Sequence, residues 1–414
     1  MSKGRNNMIA ALDVGTSKIC CLIAETDDDG TPHVVGIGHQ VAKGVKAGSI
    51  VDMEAARNAI RAAVHAAEEM ADATMKDIFV SLSAGAPRSI RFDAEVPVAG
   101  NAIGSSDLRR VIDQGCQWRN GEARQIVHAI PITYSLDGLA GIRNPEGMVA
   151  QRLGVDMHLV TATVGAIDNL KNCLSGCYLR IEALASASYC AGLASLTDDE
   201  LELGSAVIDM GGGTTTISTF EEGELVFTGV VPIGGHHVTA DIAHGLSTPL
   251  AEAERLKTLH GTTIPTSSDA RRLLDVPQIA GEANSDTSQI SRIQLSDIIR
   301  PRVEETLELV RDILERDGPG IAAARRLVLT GGASQLEGAR DVATEVFEAQ
   351  VRLGRPARIA GLAQSVSGPA FSVAAGLLRY ATTRHDDRAI GRPRKLGEPS
   401  GLIGRIGDWL HENF

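Results

Sequence analysis

The chain has 414 residues, 43% hydrophobic and 22% charged, a globular composition too long for one simple core and therefore expected to form two or three lobes. Its formal net charge of -12 and pI near 5.4 exclude a general nucleic-acid binder, because neutralising phosphates takes clustered Lys and Arg.

Residues 1–7 are polar, and the apolar stretch after them is interrupted by Asp13 and Lys18, so no signal-peptide core is expected. No run approaches the roughly 18 apolar residues of a spanning helix, and the chain is expected to start in the cytoplasm. The cysteines at 20, 21, 116, 173, 177 and 190 form no Cys-x-x-Cys pair and read as buried, reduced thiols. Cys173 and Cys177 share a helical face but lack further ligands nearby. Adjacent His236 and His237, in extended chain, point to opposite faces. Neither pair is read as a metal site.

In chain order, residues 8–25 predict a strand, a tight turn and a second strand, and 34–37 a third. Residues 52–71 predict an Ala-rich amphipathic helix with Ala56, Ile60, Ala63, Val64 and Ala67 on one stripe. From 85 to 164 the pattern changes to short alternating strands, 126–131 and 158–164 among them, and reads as an inserted subdomain. The α/β style then returns, with a helix over 167–176, strands over 206–209, 216–220 and 225–231, and a helix over 238–245. The strand–turn–strand device thus occurs twice, which implies two related halves facing each other. Residues 266–288, rich in Ser, Asp and Ala, read as an exposed, mobile excursion. A helix over 296–316 follows, with Pro301 early in it where a missing N–H is tolerated, and then a strand over 325–330. Residues 385–400 mix Arg, Lys, Pro and Gly without apolar periodicity and read as a linker.

The chemistry lies in the turns. In Asp13-Val14-Gly15-Thr16-Ser17-Lys18 the glycine lets backbone N–H groups converge on phosphate oxygens, the hydroxyls add donors, and the carboxylate holds Mg²⁺ directly or through water. Asp209-Met210-Gly211-Gly212-Gly213-Thr214-Thr215 repeats those parts, and Gly331-Gly332-Ala333-Ser334 is a third glycine turn after a strand. One such turn is an ordinary hairpin as readily as a phosphate cradle; three after apolar strands point to a nucleotide. Glu254 and Lys257, at i and i+3 on one helix, are then placed facing a ribose rather than forming a plain surface pair. For hydrolysis the weak catalytic candidate is Glu182, which reads equally as a solvated residue.

These motifs resemble the actin, Hsp70 and sugar-kinase superfamily, and more narrowly the FtsA family of bacterial cell-division proteins. The narrower resemblance rests on Gly44-Val45 through Gly48-Ser49-Ile50-Val51-Asp52, on Val127-His128-Ala129-Ile130-Pro131 with Gly141-Ile142-Arg143-Asn144-Pro145, and on residues 234–243 before the Glu254 helix. It implies an α/β, actin-like two-lobed fold with duplicated halves, an inserted small α+β subdomain and a C-terminal amphipathic helix. The implied divisions are subdomain 1A over 1–84, 166–203 and 359–383, the inserted 1C over 85–165, 2A over 204–235 and 300–358, 2B over 236–299, a linker over 384–400 and a membrane-targeting helix over 401–414. It also implies ATP and Mg²⁺ in the cleft, with slow turnover that gates polymerisation at the inner face of the cytoplasmic membrane at the division site. The implied partners are further copies of the chain, other division proteins and the C-terminal tail of the tubulin-like protein FtsZ, with Arg300 and Arg302 as candidate contacts to acidic groups. A pilus-assembly actin homologue and a small-molecule kinase of the superfamily stay open as alternatives.

At about 100° per residue, Leu402, Ile403, Ile406, Trp409, Leu410 and Phe414 fall within an arc of roughly 140°, opposite Arg405, Asp408, His411 and Glu412. That pattern predicts an interfacial helix lying on lipid, with Arg384, Arg388, Arg392, Arg394 and Lys395 upstream to meet anionic headgroups. A helix docked on its own domain and a partner-binding helix are the other readings.

Overall fold

The computed structural model describes residues 8–27, 30–118, 123–279, 287–320, 326–356 and 359–383. The expected linker over 384–400 and amphipathic helix over 401–414 lie outside the described residues.

Apolar alternation around the Asp13 turn makes a hairpin of β1 (Met8–Val14) and β2 (Lys18–Thr26), with Asp13 opposite Cys20, and β3 (Pro32–Val41) adds to it antiparallel. A short hairpin of β4 (Val45–Lys46) and β5 (Ser49–Ile50) leads into α1 (Met53–Ala71). Asp52 caps that helix by accepting from the N–H groups of Glu54 and Ala55. The predicted stripe from Ala56 to Ala67 is buried. Its small side chains let the helix lie directly on β3, where a Cβ on Gly38 would stand 1.9 Å from the Ala63 carbonyl oxygen. β6 (Asp77–Leu82) then pairs parallel with β1.

The inserted part follows as β7 (Arg88–Pro97), α2 (Ser105–Gly115), β8 (Arg124–Leu136), β9 (Leu139–Ile142) and β10 (Arg152–Thr163). It forms its own four-stranded sheet, β7-β10-β8-β9, over a separate core that includes Val96, Ile112, Leu153 and Met157. The chain returns through α3 (Val164–Ser175), β11 (Arg180–Ser186), α4 (Ala187–Ser195) and α5 (Asp198–Leu203).

The second half consists of β12 (Ser205–Met210), β13 (Thr215–Glu221), β14 (Glu224–Val231), α6 (Gly235–Leu246), α7 (Leu250–His260), β15 (Leu273–Pro277), β16 (Thr287–Ser291), α8 (Arg292–Asp317), β17 (Leu327–Thr330), α9 (Ala339–Phe347) and β18 (Val351–Leu353). Finally α10 (Ser372–Thr382) crosses back to the first lobe. The two large sheets run β3-β2-β1-β6-β11 and β14-β13-β12-β17-β18, each an antiparallel three-strand meander extended by two parallel strands. The repetition predicted from the turns is therefore a repetition of whole sheets.

Two expectations are corrected. Residues 266–288 are not simply an exposed excursion, because β15 and β16 pair antiparallel and bury Leu274, Val276 and Ile290 against lobe 2. Their Ser and Asp content obscures an alternation that buries one face only. Pro301 does not lie in a first turn. α8 starts at Arg292, where Ser291 and Gln294 form a reciprocal capping box, so Pro301 sits in the interior and releases the Asp297 carbonyl from the helical ladder.

The insert is covalently part of lobe 1 but is seated on lobe 2. Ser89 on β7 accepts the Thr228 N–H of β14 at 2.6 Å, and His158 on β10 meets the Leu225 carbonyl through Nδ1 at 2.7 Å. A carbonyl only accepts, so Nδ1 carries the hydrogen, and in the neutral ring Nε2 accepts from the Ser89 hydroxyl, 2.8 Å away. At the periphery Arg143 bridges Glu202 and Glu222.

Between the sheets lie α4, with every residue buried, and α10. A Cβ on Gly376 would stand 1.7 Å from the Cys190 carbonyl oxygen, and that oxygen is backbone that cannot step aside. Gly376→Ala is expected to cost about 1–3 kcal/mol through overpacking, read as a lowered denaturant midpoint. Gly165→Ala in α3, with open space around its Cβ position, should be neutral or stabilising by under about 1 kcal/mol.

Candidate functional site

Each of the first two turns closes on the same bond. Gly15 N–H donates to the Lys18 carbonyl at 3.1 Å, and Gly211 N–H to that of Thr214 at 2.9 Å. A Cβ on Gly15 would stand 2.8 Å from the Lys18 oxygen and one on Gly211 2.9 Å from the Thr214 oxygen, so both turns need glycine for one steric reason. The turns also face each other. A Cβ on Gly212 would be 1.9 Å from Ser17 Oγ, and one on Gly213 2.8 Å from Thr16 Oγ1.

The third turn abuts the second. Gly331 has φ +89, and a Cβ there would fall 2.3 Å from Asp209 Oδ1, so only glycine brings this loop against the carboxylate. Its N–H donates to the Pro369 carbonyl at 3.2 Å, and the buried Ser334 hydroxyl donates back to the Gly331 carbonyl at 2.7 Å. Gly332 is exposed beside it.

Asp13 and Asp209 end equivalent strands, β1 and β12, and so converge from opposite lobes. Burial pushes the Asp13 carboxyl up, against the pull of the Lys18 charge and of the Ser81 hydroxyl, which donates to it at 2.7 Å. Burial and the Asp13 charge together push Asp209 up to about 7, opposed by Lys18. Two like charges in a desolvated cleft are costly and call for a cation. Among the described residues no three His, Cys, Asp or Glu side chains cluster as a metal cage. Two carboxylates beside glycine-bared backbone fit a hydrated Mg²⁺ that takes its remaining ligands from phosphate and water. Lys18 leans on Phe371, 4.5 Å from the ring centroid, and donates to the Ala370 carbonyl.

Other predicted residues divide. Thr16 accepts the Gly48 N–H at 2.9 Å and keeps its own hydrogen to donate, whereas Thr215 spends its hydrogen on the Ile233 carbonyl at 2.8 Å. Thr214 is half-buried in the turn. Glu254 and Lys257 lie against the start of α6, beside the second turn. The ammonium donates to Glu254 at 2.7 Å, Thr239 at 2.8 Å and the Gly235 carbonyl at 3.0 Å, so its three hydrogens are engaged. Burial raises the Glu254 carboxyl, but hydrogen bonds from Lys257 and Thr239 outweigh it and leave the group below its usual range. Glu182 is not brought to the turns. It sits at a bulge in β11, between residues paired with Ile78 and Phe79, several residues below the cleft end of the strand.

His236 and His237 are not in extended chain. They occupy the first turn of α6, whose N-terminus is pinned to the second turn by Gly235 N–H to the Gly211 carbonyl, 2.9 Å, and His236 N–H to that of Gly212, 2.8 Å. The glycine pair Gly234-Gly235 before an amphipathic run was the available signal for this helix start. Ser81 had none, because only parallel pairing of β6 with β1 carries it to Asp13. Arg300 and Arg302 lie on α8 with internal partners, Glu304 and Glu345 for the first, Asp241 and Glu305 for the second.

Comparison with known proteins fits this architecture. A family model described as "Cell division protein FtsA" matches residues 206–376, and one described as "SHS2 domain inserted in FTSA" matches 84–161. The Cell division protein FtsA of Agrobacterium fabrum is 42% identical over 427 residues, covering 100% of this chain and 96% of the relative. That of Escherichia coli K12 is 31% identical over 415 residues, covering 98% of each. Among solved structures, a chain of the PilM–PilN type IV pilus biogenesis complex superposes with a TM-score of 0.62 at 18% identity, over 91% of this chain and 99% of that one. MreB5 of Spiroplasma citri bound to ADP does so with 0.57 at 14%, over 91% and 97%. Likeness at such low identity speaks for the fold, which is actin-like. At 31–42% identity to these members along nearly its whole length, and with the insert that the second model describes, this chain belongs to the FtsA family of cell-division proteins.

Proposed function

We propose that the chain is an ATP-binding switch that polymerises on the inner face of the cytoplasmic membrane at the division site and anchors the FtsZ ring there. The observation that carries the nucleotide is the pair of glycine turns closed by the same bond, in contact across the cleft with Asp13 buried and Asp209 half-buried behind them. In this reading Gly15, Thr16, Ser17, Lys18, Gly211, Gly212, Gly213 and Thr214 hold phosphates, Gly331, Gly332 and Ser334 close the third side, and Glu254 with Lys257 faces the ribose. Bound Mg²⁺ supplies the charge that balances Asp13, Asp209 and the phosphates. Turnover is slow, and the bound nucleotide sets the relative position of the lobes rather than serving chemistry on a metabolite.

Membrane attachment rests on the amphipathic pattern of 401–414, supported by family membership and by the basic residues just before it. One such helix binds weakly, so polymerisation strengthens attachment by avidity. The FtsZ tail is assigned to the lobe 2 surface near α8. An acidic peptide there has to draw Arg300 and Arg302 from their internal carboxylates, which sets a modest affinity.

A carboxyl raised from 3.8 to about 7 on folding binds more protons in the native chain than in the unfolded one. In metal-free buffer, stability should therefore fall as pH rises from about 4 through about 7. Asp209→Asn is expected to abolish ATP binding in calorimetry, to flatten that pH dependence, and to raise the nucleotide-free unfolding midpoint at pH 8. ATP binding unchanged by it would overturn the nucleotide reading. Sedimentation with anionic liposomes should need ATP and be lost on removal of residues after Ser400 or in Trp409→Glu; a Trp409→Glu chain that still pellets with lipid rules out the tether. Arg302→Glu should weaken binding of a fluorescent FtsZ tail peptide several-fold, and an unaltered anisotropy titration removes Arg302 from that contact.

A further inference from the structure

The two histidines at the start of α6 have opposite tasks. His237 turns back on its own helix, where its Nδ1 accepts the Gly234 N–H at 3.1 Å and so caps the first turn. His236, one residue further back and about 100° away around the helix, points out of the lobe instead. Its Nε2 lies 3.0 Å from Ser17 Oγ, in the turn of the opposite lobe. The imidazole also roofs the second turn, since a Cβ on Gly212 would be 3.4 Å from its Cε1.

This is a polar side-chain bridge between the two phosphate turns, and it stands at the solvent-exposed mouth of the cleft. Its position is determined from behind. The backbone of Gly235 and His236 is bonded to the carbonyls of Gly211 and Gly212, so the point from which the ring projects is fixed to the turn. The N-terminal end of α6 adds its positive dipole end to the same place. A hydrogen bond between two exposed neutral groups is worth about 0.5–1.5 kcal/mol net, whereas bonds to a charged phosphate are roughly twice as strong. The bridge is therefore easily exchanged for an anion that enters between the turns.

We propose that His236 is a cross-cleft phosphate ligand: it and Ser17, bonded to each other between the lobes, exchange that bond for oxygens of a nucleotide's phosphate chain. The inference rests on the nucleotide reading above and adds a residue of lobe 2 that senses phosphate rather than base or ribose. The same geometry disposes of a two-histidine metal pair, because His237 faces its own helix cap.

The test is calorimetric titration of the full chain with ATP and ADP, each with Mg²⁺, and with adenosine. His236→Ala should weaken ATP and ADP about tenfold and leave adenosine unchanged, while His236→Gln, which keeps a donor, should recover most of the loss. In nucleotide-free protein, hydrogen exchange at Ser17 and Lys18 should quicken in His236→Ala and in Ser17→Ala, by similar factors, and not further in the double variant. Wild-type ATP affinity in His236→Ala, with Asp209→Asn still losing ATP, overturns the inference and spares the nucleotide reading. If adenosine weakens as much as ATP, the residue acts on the fold and the inference also fails. A wild-type chain that binds none of the three defeats the underlying reading itself.

Discussion

The structure depends on how closely α4 and α10 cross between the two large sheets. Gly376 lies against the Cys190 carbonyl, and on the far side of α4 a Cβ on Gly192 would meet the Phe220 ring at 2.2 Å. Two glycines thus bring the helix pair into contact with itself and with a strand of lobe 2. Tyr189, Tyr380 and His128 fill the remaining space edge to face, and His128 Nε2 accepts the Ser186 N–H at 2.8 Å. One continuous core therefore spans both lobes. That core joins the two sheets in which β1 and β12 hold equivalent places, each ending at its turn.

From this placement the electrostatics follow. Asp13 and Asp209 are each tolerable at a strand end, but in each other's field they repel, and Lys18 offsets only part of the cost. Like charges held together in this way cost stability for as long as no cation balances them. The glycine turns lie beside these carboxylates with their backbone bare, since every Cβ left out would have met the facing turn or its own closing carbonyl.

Lobe 2 also carries the insert. β13 has turn 2 at its start, and its neighbour β14 bonds to Ser89 and His158 of the insert, with Ser188 of α4 joining through Thr228 Oγ1 at 2.6 Å. Buried, satisfied polar contacts of this kind specify one seating of the insert where apolar packing alone would permit several. The strands that border the cleft and the strand that seats the insert are thus one hydrogen-bonded sheet.

Much of this was legible without coordinates. Spacing in 8–25 and 206–220 specified both hairpins, because period-2 alternation broken by Asp-x-Gly leaves a chain few other conformations. The Ala-rich stripe of α1 was equally plain. Local pattern misjudged 266–288, where a polar composition covers a one-sided hairpin, and the start of α8, where the cap at Ser291 lies five residues before the expected first turn. It also misassigned the conformation of His236 and His237, whose helix is set by bonds to a turn over twenty residues earlier in the chain. What the sequence by itself determined is the parts: two acidic glycine turns, their strands and the insert between them. Only the tertiary structure decided which parts meet. Ser81 reaches Asp13 through a parallel strand pair, Glu182 stays below the cleft, and Ser17 touches His236 across 219 positions of sequence. Contacts of that range depend on how whole sheets pack, and no periodicity within one segment encodes them.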